Sequence, residues 1–223
     1  MGIYSLKNAI AILENNKIKV KDPWDIVAGF EFLISDFCGS KFAVALDSCT
    51  NALFLSLKYL KIENRSIEIP SKTYLSVPQT ILSSGNKPIF VEKEWTGFYQ
   101  LGNTNIYDAA GRLKKNMYIE DSFMCLSFHI KKNIPIGKGG IILTNSQNAY
   151  NWLYKAVYEG RDRRQNHNLI NDLEMLGWNM YMTPEQAAYG IDLFESYISN
   201  KEFRDVASSE KYKDLSKFKI FSK

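Results

Sequence analysis

The sequence predicts an α/β fold with a mainly parallel sheet flanked by helices. Segments that read as short strands recur at residues 42–46, 66–70, 88–91, 105–107, 123–128 and 140–143. Stretches with apolar positions at helical spacing lie between several of them, and this alternation is the mark of an α/β domain. Runs such as Phe42-Ala43-Val44-Ala45-Leu46 are apolar throughout, as in a buried parallel strand.

The elements follow in order. The stretch to about Lys21 is polar, with Asn15-Asn16, and reads as a helix and a loop. Residues 23–37 place Trp24, Val27, Phe30, Leu33 and Phe37 at helical spacing, and Gly39 stops them. The strand at 42–46 leads through Asp47-Ser48-Cys49-Thr50 into a helix over 51–60. The strand at 66–70 leads to a helix over 75–82. A short strand at 105–107 ends at Asp108. A helix runs from Gln147 to about Tyr158, followed by the arginine-rich loop Gly160-Arg161-Asp162-Arg163-Arg164. Such a run binds an anion or forms a solvated face. Thr183-Pro184-Glu185-Gln186 is a helix start: Thr183 caps, Pro184 suits the first position and Gln186 closes a capping box. The stretch after Lys201 is charged and poorly patterned.

Composition narrows the function. Hydrophobic residues at 45% and charged residues at 23% are ordinary for a folded globular chain. The formal charge of +4 calls for neither a nucleic acid nor a membrane partner, and it suits an anionic ligand. Three cysteines, Cys38, Cys49 and Cys125, without a CxxC pair, argue against disulfides and zinc ribbons and point to a reducing cytoplasm. With two histidines, no metal site is expected. The apolar run Ala9-Ile10-Ala11-Ile12-Leu13 is too short to span a membrane and reads as one face of an amphipathic helix.

Several segments carry chemistry. Ser127-Phe128-His129-Ile130-Lys131-Lys132 follows a buried strand, and Gly137-Lys138-Gly139-Gly140 comes soon after. A lysine there is a usable amine nucleophile, although a surface pair is the common place for two lysines. Ser48-Cys49-Thr50 begins a helix, where free N–H groups and hydroxyls form a phosphate cup or simply cap the helix. Asp108 closes a strand, at the carboxyl end where ligands bind in open α/β sheets. Tyr74 can stack on a flat ring or fill a rim.

Together these strings resemble the DegT/DnrJ/EryC1/StrS family of pyridoxal-phosphate-dependent sugar aminotransferases, of the fold type I (aspartate aminotransferase-like) class. The resemblance runs from about Phe30 to Tyr197. It rests on Phe37-Cys38-Gly39-Ser40-Lys41, Ser48-Cys49-Thr50-Asn51-Ala52-Leu53, Thr73-Tyr74, Gly85-Asn86-Lys87-Pro88-Ile89-Phe90-Val91, Asp108-Ala109-Ala110, Ser127-Phe128-His129 with Lys132, Gly177-Trp178-Asn179, and Met182-Thr183 with Gln186-Ala187-Ala188. It implies an N-terminal arm over 1–22, a pyridoxal 5'-phosphate-binding large domain over 23–200 and a charged C-terminal tail over 201–223, a short form without most of the family's C-terminal domain.

The resemblance also implies roles. Lys132 would hold the cofactor covalently and shuttle protons. Asp108 would pair with the pyridinium nitrogen, Tyr74 would stack on the ring, and Ser127, Ser48, Thr50 and the backbone of Cys49 would hold the phosphate. Gly111 stands where the family usually carries a Gln or His contacting the ring hydroxyl. Asn179 would reach the phosphate bound by a partner subunit, giving a homodimer with a shared site. The implied activity is an aminotransferase moving an amino group from glutamate to a keto sugar, nucleotide-linked, in the cytoplasm. The departures are Cys49 for glycine, Gly111 for Gln or His, Lys138 for Glu and Tyr181 for Arg. They leave two other readings: a non-catalytic relative that binds pyridoxal phosphate or a nucleotide, and a pyridoxal phosphate enzyme acting on a small amino acid.

Overall fold

The structure, a computed structural model, describes residues 2–221, and of residues 2–5 the backbone alone. Local chemistry sets the helix ends. Helix α1 spans Gly2–Asn15 and α2 spans Pro23–Cys38. Asp22 caps α2 by accepting from the Trp24 amide, and the Asp25 carboxylate reaches back to the Asp22 amide at 3.0 Å. Gly39, at φ 83°, closes the helix by donating to Ser35 O. Strand β1 (Phe42–Leu46) feeds α3 (Cys49–Tyr59), and β2 (Ser66–Pro70) feeds α4 (Ser76–Ser83). Then come β3 (Lys87–Val91), β4 (Tyr99–Gln100), β5 (Ile106–Asp108), β6 (Phe123–Ser127), β7 (Gly140–Thr144), α5 (Gln147–Ala156) and α6 (Pro184–Asn200). The capping box read at Thr183 and Gln186 begins α6.

Five strands form one sheet in the order β1-β7-β6-β5-β4, and β2 pairs with β3 in a second, two-stranded sheet. The amide of Gly102 donates to Glu68 O at 2.8 Å and links the two. The expectation of a mainly parallel sheet is corrected here. Pairs β5–β6 and β2–β3 are parallel, whereas β1–β7, β6–β7 and β4–β5 are antiparallel, so the sheet is mixed. The reason is burial. One face of the large sheet carries α1, α2 and α6, with Leu13, Phe30, Ile34, Ile191 and Phe194 packed on Ala43, Ala45, Leu126, Ile141 and Leu143. The other carries α3 and α5, with Leu53, Leu57 and Leu153 on Val44, Leu46, Cys125 and Ile142. A strand covered on both faces is apolar throughout whichever way its neighbour runs.

The charged stretch after α6 packs back against the body. Lys201, at φ 53°, ends the helix in the left-handed region. Asp205 is then clasped by Arg112 at 2.7 Å and Lys114 at 3.1 Å. The backbone bonds Val206 N to Gly111 O, Gly97 N to Ala207 O, Ser209 N to Trp95 O and Leu215 N to Ser71 O fasten residues 205–215 as a strap. The arginine-rich loop is only partly solvated, since Arg163 is buried against Glu31.

Candidate active site

The site gathers where strands β1, β5 and β6 end. At the close of β1, the Asp47 carboxylate accepts from Ser48 Oγ at 3.0 Å and from Asn51 Nδ2 at 2.7 Å, and its other oxygen faces Lys138 Nζ at 3.2 Å. That clamp fixes the turn into α3, where Ser48 caps by accepting from the Asn51 amide at 3.3 Å. Thr50 Oγ1 meets Ser76 Oγ at 2.8 Å, so the starts of α3 and α4 present hydroxyls together. Gly140 on β7 lies beneath this turn. A Cβ there would lie 2.4 Å from the Ser48 carbonyl carbon and 2.5 Å from the Cys49 nitrogen. Only a bare Cα lets the first turn of α3 settle this close to the sheet.

Asp108 ends β5 and is 6% exposed. Its Oδ1 accepts from the Ala110 amide at 3.0 Å and faces Cys49 Sγ at 3.9 Å, while Oδ2 accepts from Tyr99 OH at 2.8 Å. Burial pushes this carboxyl up, and the hydrogen bonds and the Lys132 charge partly oppose it. Burial and the neighbouring Asp108 push the Cys49 thiol well up, so it stays a protonated donor. Ser127 ends β6. The next residues turn tightly, with Lys132 N donating to His129 O at 2.8 Å and Gly137 N to Phe128 O at 3.1 Å. The turn leaves Lys132 half-buried and Lys131 exposed. The charge of Lys132 is felt by both Asp108 and Cys49.

These groups line one cavity of about 550 Å³. Lys132, Ser48, Cys49, Thr50, Tyr74, Asp108, Gly111 and Ser127, singled out in the sequence, all border it. Asn179 does not. It is exposed, its Nδ2 donates to Glu159 Oε1 at 3.2 Å, and its stretch runs beside the β1–α3 turn, where Asp47 N donates to Met180 O. Sequence reasoning missed the strap. Val206, Ala207, Lys211 and Tyr212 form one wall of the cavity. The Tyr212 ring stacks on Trp95 at 5.7 Å and 23° and stands edge-on to Tyr74. Gly111 admits that wall: a Cβ there would lie 2.7 Å from Ala207 Cβ. Tyr99 was missed as well, and Thr73 was read only as the neighbour of Tyr74. No spacing rule marks a two-residue strand.

The arrangement suits a small anionic ring compound: a hydroxyl-lined helix start at one end, a buried carboxylate at the floor and an amine beside it. The DegT/DnrJ/EryC1/StrS aminotransferase family model matches residues 5–100 and 114–215. The chain belongs to this family. Its cofactor is pyridoxal phosphate, and the donors just described fit that group: hydroxyls and helix N–H groups for a phosphate, Asp108 for a ring N–H, Lys132 for a carbonyl carbon. Asp108 and Gly111 fall between the two matched stretches, so geometry rather than the family match locates them.

The chain is 25% identical over 214 residues to the spore coat polysaccharide biosynthesis protein SpsC of Bacillus subtilis, covering 74% of this chain and 55% of SpsC. It is 25% identical over 239 residues to protein MJ1066 of Methanocaldococcus jannaschii, covering 83% and 62%. It thus spans less than two thirds of either relative. Among solved structures, DesI in the presence of its TDP-sugar product superposes with a TM-score of 0.67 at 16% identity, over 88% of this chain and 59% of DesI. That likeness shows the fold, the fold type I architecture of pyridoxal phosphate enzymes.

Proposed function

We propose that this DegT/DnrJ/EryC1/StrS family member is a pyridoxal phosphate-dependent aminotransferase that moves an amino group from glutamate to a nucleotide-linked keto sugar. The observation that carries the reading is the convergence of Lys132, Asp108 and the hydroxyl-lined start of α3 on one cavity. The relatives SpsC and DesI, a polysaccharide biosynthesis protein and a structure with a TDP-sugar product, support a sugar acceptor.

When bound, pyridoxal phosphate supplies an electron-accepting ring that lets a proton leave the carbon bearing the transferred amino group. The chain supplies the rest. Lys132 Nζ would hold the cofactor and would move that proton as general base and acid. Asp108 would accept the ring N–H, and its charge would keep that nitrogen protonated. Ser48, Thr50, Ser127 and the Cys49 amide would hold the phosphate at the positive end of α3. Tyr74 would stack on the ring, and Gly111 leaves room for the strap at the cavity wall.

In a homodimer, Asn179 reaches the phosphate of the partner subunit's site. Its exposure on the rim of the chain supports that role, and Leu169, Leu173 and Leu176, exposed on the preceding loop, offer apolar surface for the same contact. The reaction belongs to the cytoplasm, where the three free, buried cysteines stay reduced.

The test is the visible spectrum of the protein loaded with pyridoxal phosphate, before and after glutamate, beside Lys132→Ala. A band that requires Lys132 and bleaches with glutamate is expected. A Lys132-dependent band that glutamate leaves unchanged removes the donor half-reaction and favours a binding relative. Gly111, standing where the family usually carries a Gln or His, is the observation that favours that second reading.

A further inference from the structure

Asp108 has a neighbour that the proposed chemistry does not yet use. Tyr99 on β4 sits directly opposite Asp108 in the antiparallel β4–β5 register, so the two side chains rise on one side of the sheet. Tyr99 is 3% exposed, and its hydroxyl donates to Asp108 Oδ2 at 2.8 Å. A second hydroxyl, Thr73 Oγ1, lies 2.5 Å from the same Tyr99 oxygen. Thr73 is 1% exposed and precedes Tyr74.

Donor arithmetic fixes the direction of this chain. A phenol has one proton, and Tyr99 gives it to a carboxylate that can only accept. Thr73 must therefore donate to Tyr99. The relay runs from Thr73 to Tyr99 to Asp108, and each bond polarises the next. An ionised carboxylate offers about four acceptor positions. The Ala110 amide and Tyr99 occupy two from inside the protein, and the one proton of the Cys49 thiol is shared between Asp108 Oδ1 at 3.9 Å and Cys125 O at 3.4 Å. Asp108 also lines the cavity, so its carboxylate keeps acceptor capacity for a group bound there. Trp95 braces the Tyr99 ring at 4.9 Å.

We propose that Tyr99, polarised by Thr73, is a positioning residue that keeps Asp108 ionised and oriented to accept from a protonated ring nitrogen in the cavity. This deepens the aminotransferase reading and rests on it for the identity of the ring. Burial raises the proton affinity of Asp108, and Tyr99 is a donor that holds it down; burial also pushes the Tyr99 hydroxyl well up, which keeps it a donor. The other titratable groups that act on Asp108 or feel its charge are Lys132, Cys49, Cys125 and Tyr212.

The experiment has two arms on Tyr99→Phe, which keeps the ring and deletes only the hydroxyl. In the cofactor-free protein, the Asp108 carboxyl is titrated by carbon NMR with aspartate labelled, Asp108→Asn assigning the signal. Its midpoint is expected to rise by about one unit, since a hydrogen bond to a charged group is worth roughly a tenfold change in proton affinity or more. In the loaded protein, affinity for pyridoxal phosphate is read from the Lys132-dependent visible band and is expected to fall roughly tenfold. Thr73→Val is expected to move both readings the same way by less, and Thr73→Ser to restore them. Should Tyr99→Phe fail to fold, the Thr73 pair reads the relay by itself. An unmoved Asp108 midpoint, or a wild-type affinity in both Tyr99→Phe and Thr73→Val, overturns the inference while leaving the Lys132 band and the aminotransferase reading intact. A wild-type protein that forms no Lys132-dependent band overturns both.

Discussion

Arg163 and Glu31 form a buried ion pair, with Arg163 Nη2 3.0 Å from Glu31 Oε2 and side-chain exposures of 1% and 6%. Glu31 Oε1 also accepts from the Ala45 amide at 2.9 Å, so the pair joins the arginine-rich loop and α2 to β1. Arg163 lies over the ring of Tyr154 at 4.7 Å. Removing one partner strands the other charge. Glu31→Gln and Arg163→Met are each expected to lower unfolding free energy by about 3–5 kcal/mol in chemical denaturation. The double variant is expected to lose less than the sum, and strict additivity would show that the two charges are not coupled.

Gly140→Ala tests the phosphate cup. The added methyl would press on the Ser48–Cys49 peptide, which is backbone and cannot swing aside. Overpacking of this kind costs about 1–3 kcal/mol. We expect pyridoxal phosphate affinity to fall roughly tenfold or more by absorbance titration, because 1.4 kcal/mol is a factor of ten. Unchanged affinity would place the phosphate elsewhere.

Gly111→Val tests the strap. Its Cβ would meet Ala207 Cβ at 2.7 Å and Gly97 O at 3.0 Å. The strap should lift, and trypsin should cut at Lys211 and Lys213 several-fold faster than in the wild type, at a rate set by the open population. Equal cutting would mean the strap tolerates the intrusion.

Acid should loosen the same strap through Asp205. Burial raises its carboxyl, but the bonds from Arg112 and Lys114 outweigh this and hold it below the ordinary aspartate value of 3.8. A carboxyl depressed in the fold stabilises it above the unfolded value and loses that contribution as pH falls through the lower, folded one. Trp95 fluorescence, followed from about pH 5 down to about pH 2, should therefore report release of Tyr212. In Asp205→Asn that acid step should be absent. If it persists unchanged, another group drives it.

How much of this was written in the residues themselves differs by feature. Strands β1 and β2 were legible to the residue, because polar turns bound the apolar run of the first and the alternating Ile67 and Ile69 of the second. The start of α6 was legible because Thr183, Pro184 and Gln186 act on their own neighbours. The sense of the strands was not, since burial on both faces erases the alternation that would reveal it. Lys132 and Asp108 were found through motif order, and the fold brings them to one cavity. Tyr99 was invisible because its strand is two residues long, and Trp95 and Tyr212 because they pair across more than a hundred residues of chain. Arg163 read as part of a solvated run because its acid partner lies on a distant helix.

The register of β1 with β7 sets a schedule for synthesis. Phe42 pairs with Thr144 and Leu46 with Gly140, partners separated by on the order of a hundred residues. At about 5–20 residues per second, β1 waits many seconds on the ribosome before its partner strand emerges. During that interval Ala43, Val44, Ala45 and Leu46, all buried at the end, have no sheet to join. The slow step in making this protein, and its moment of greatest exposure to aggregation, should fall before Gly140 is translated.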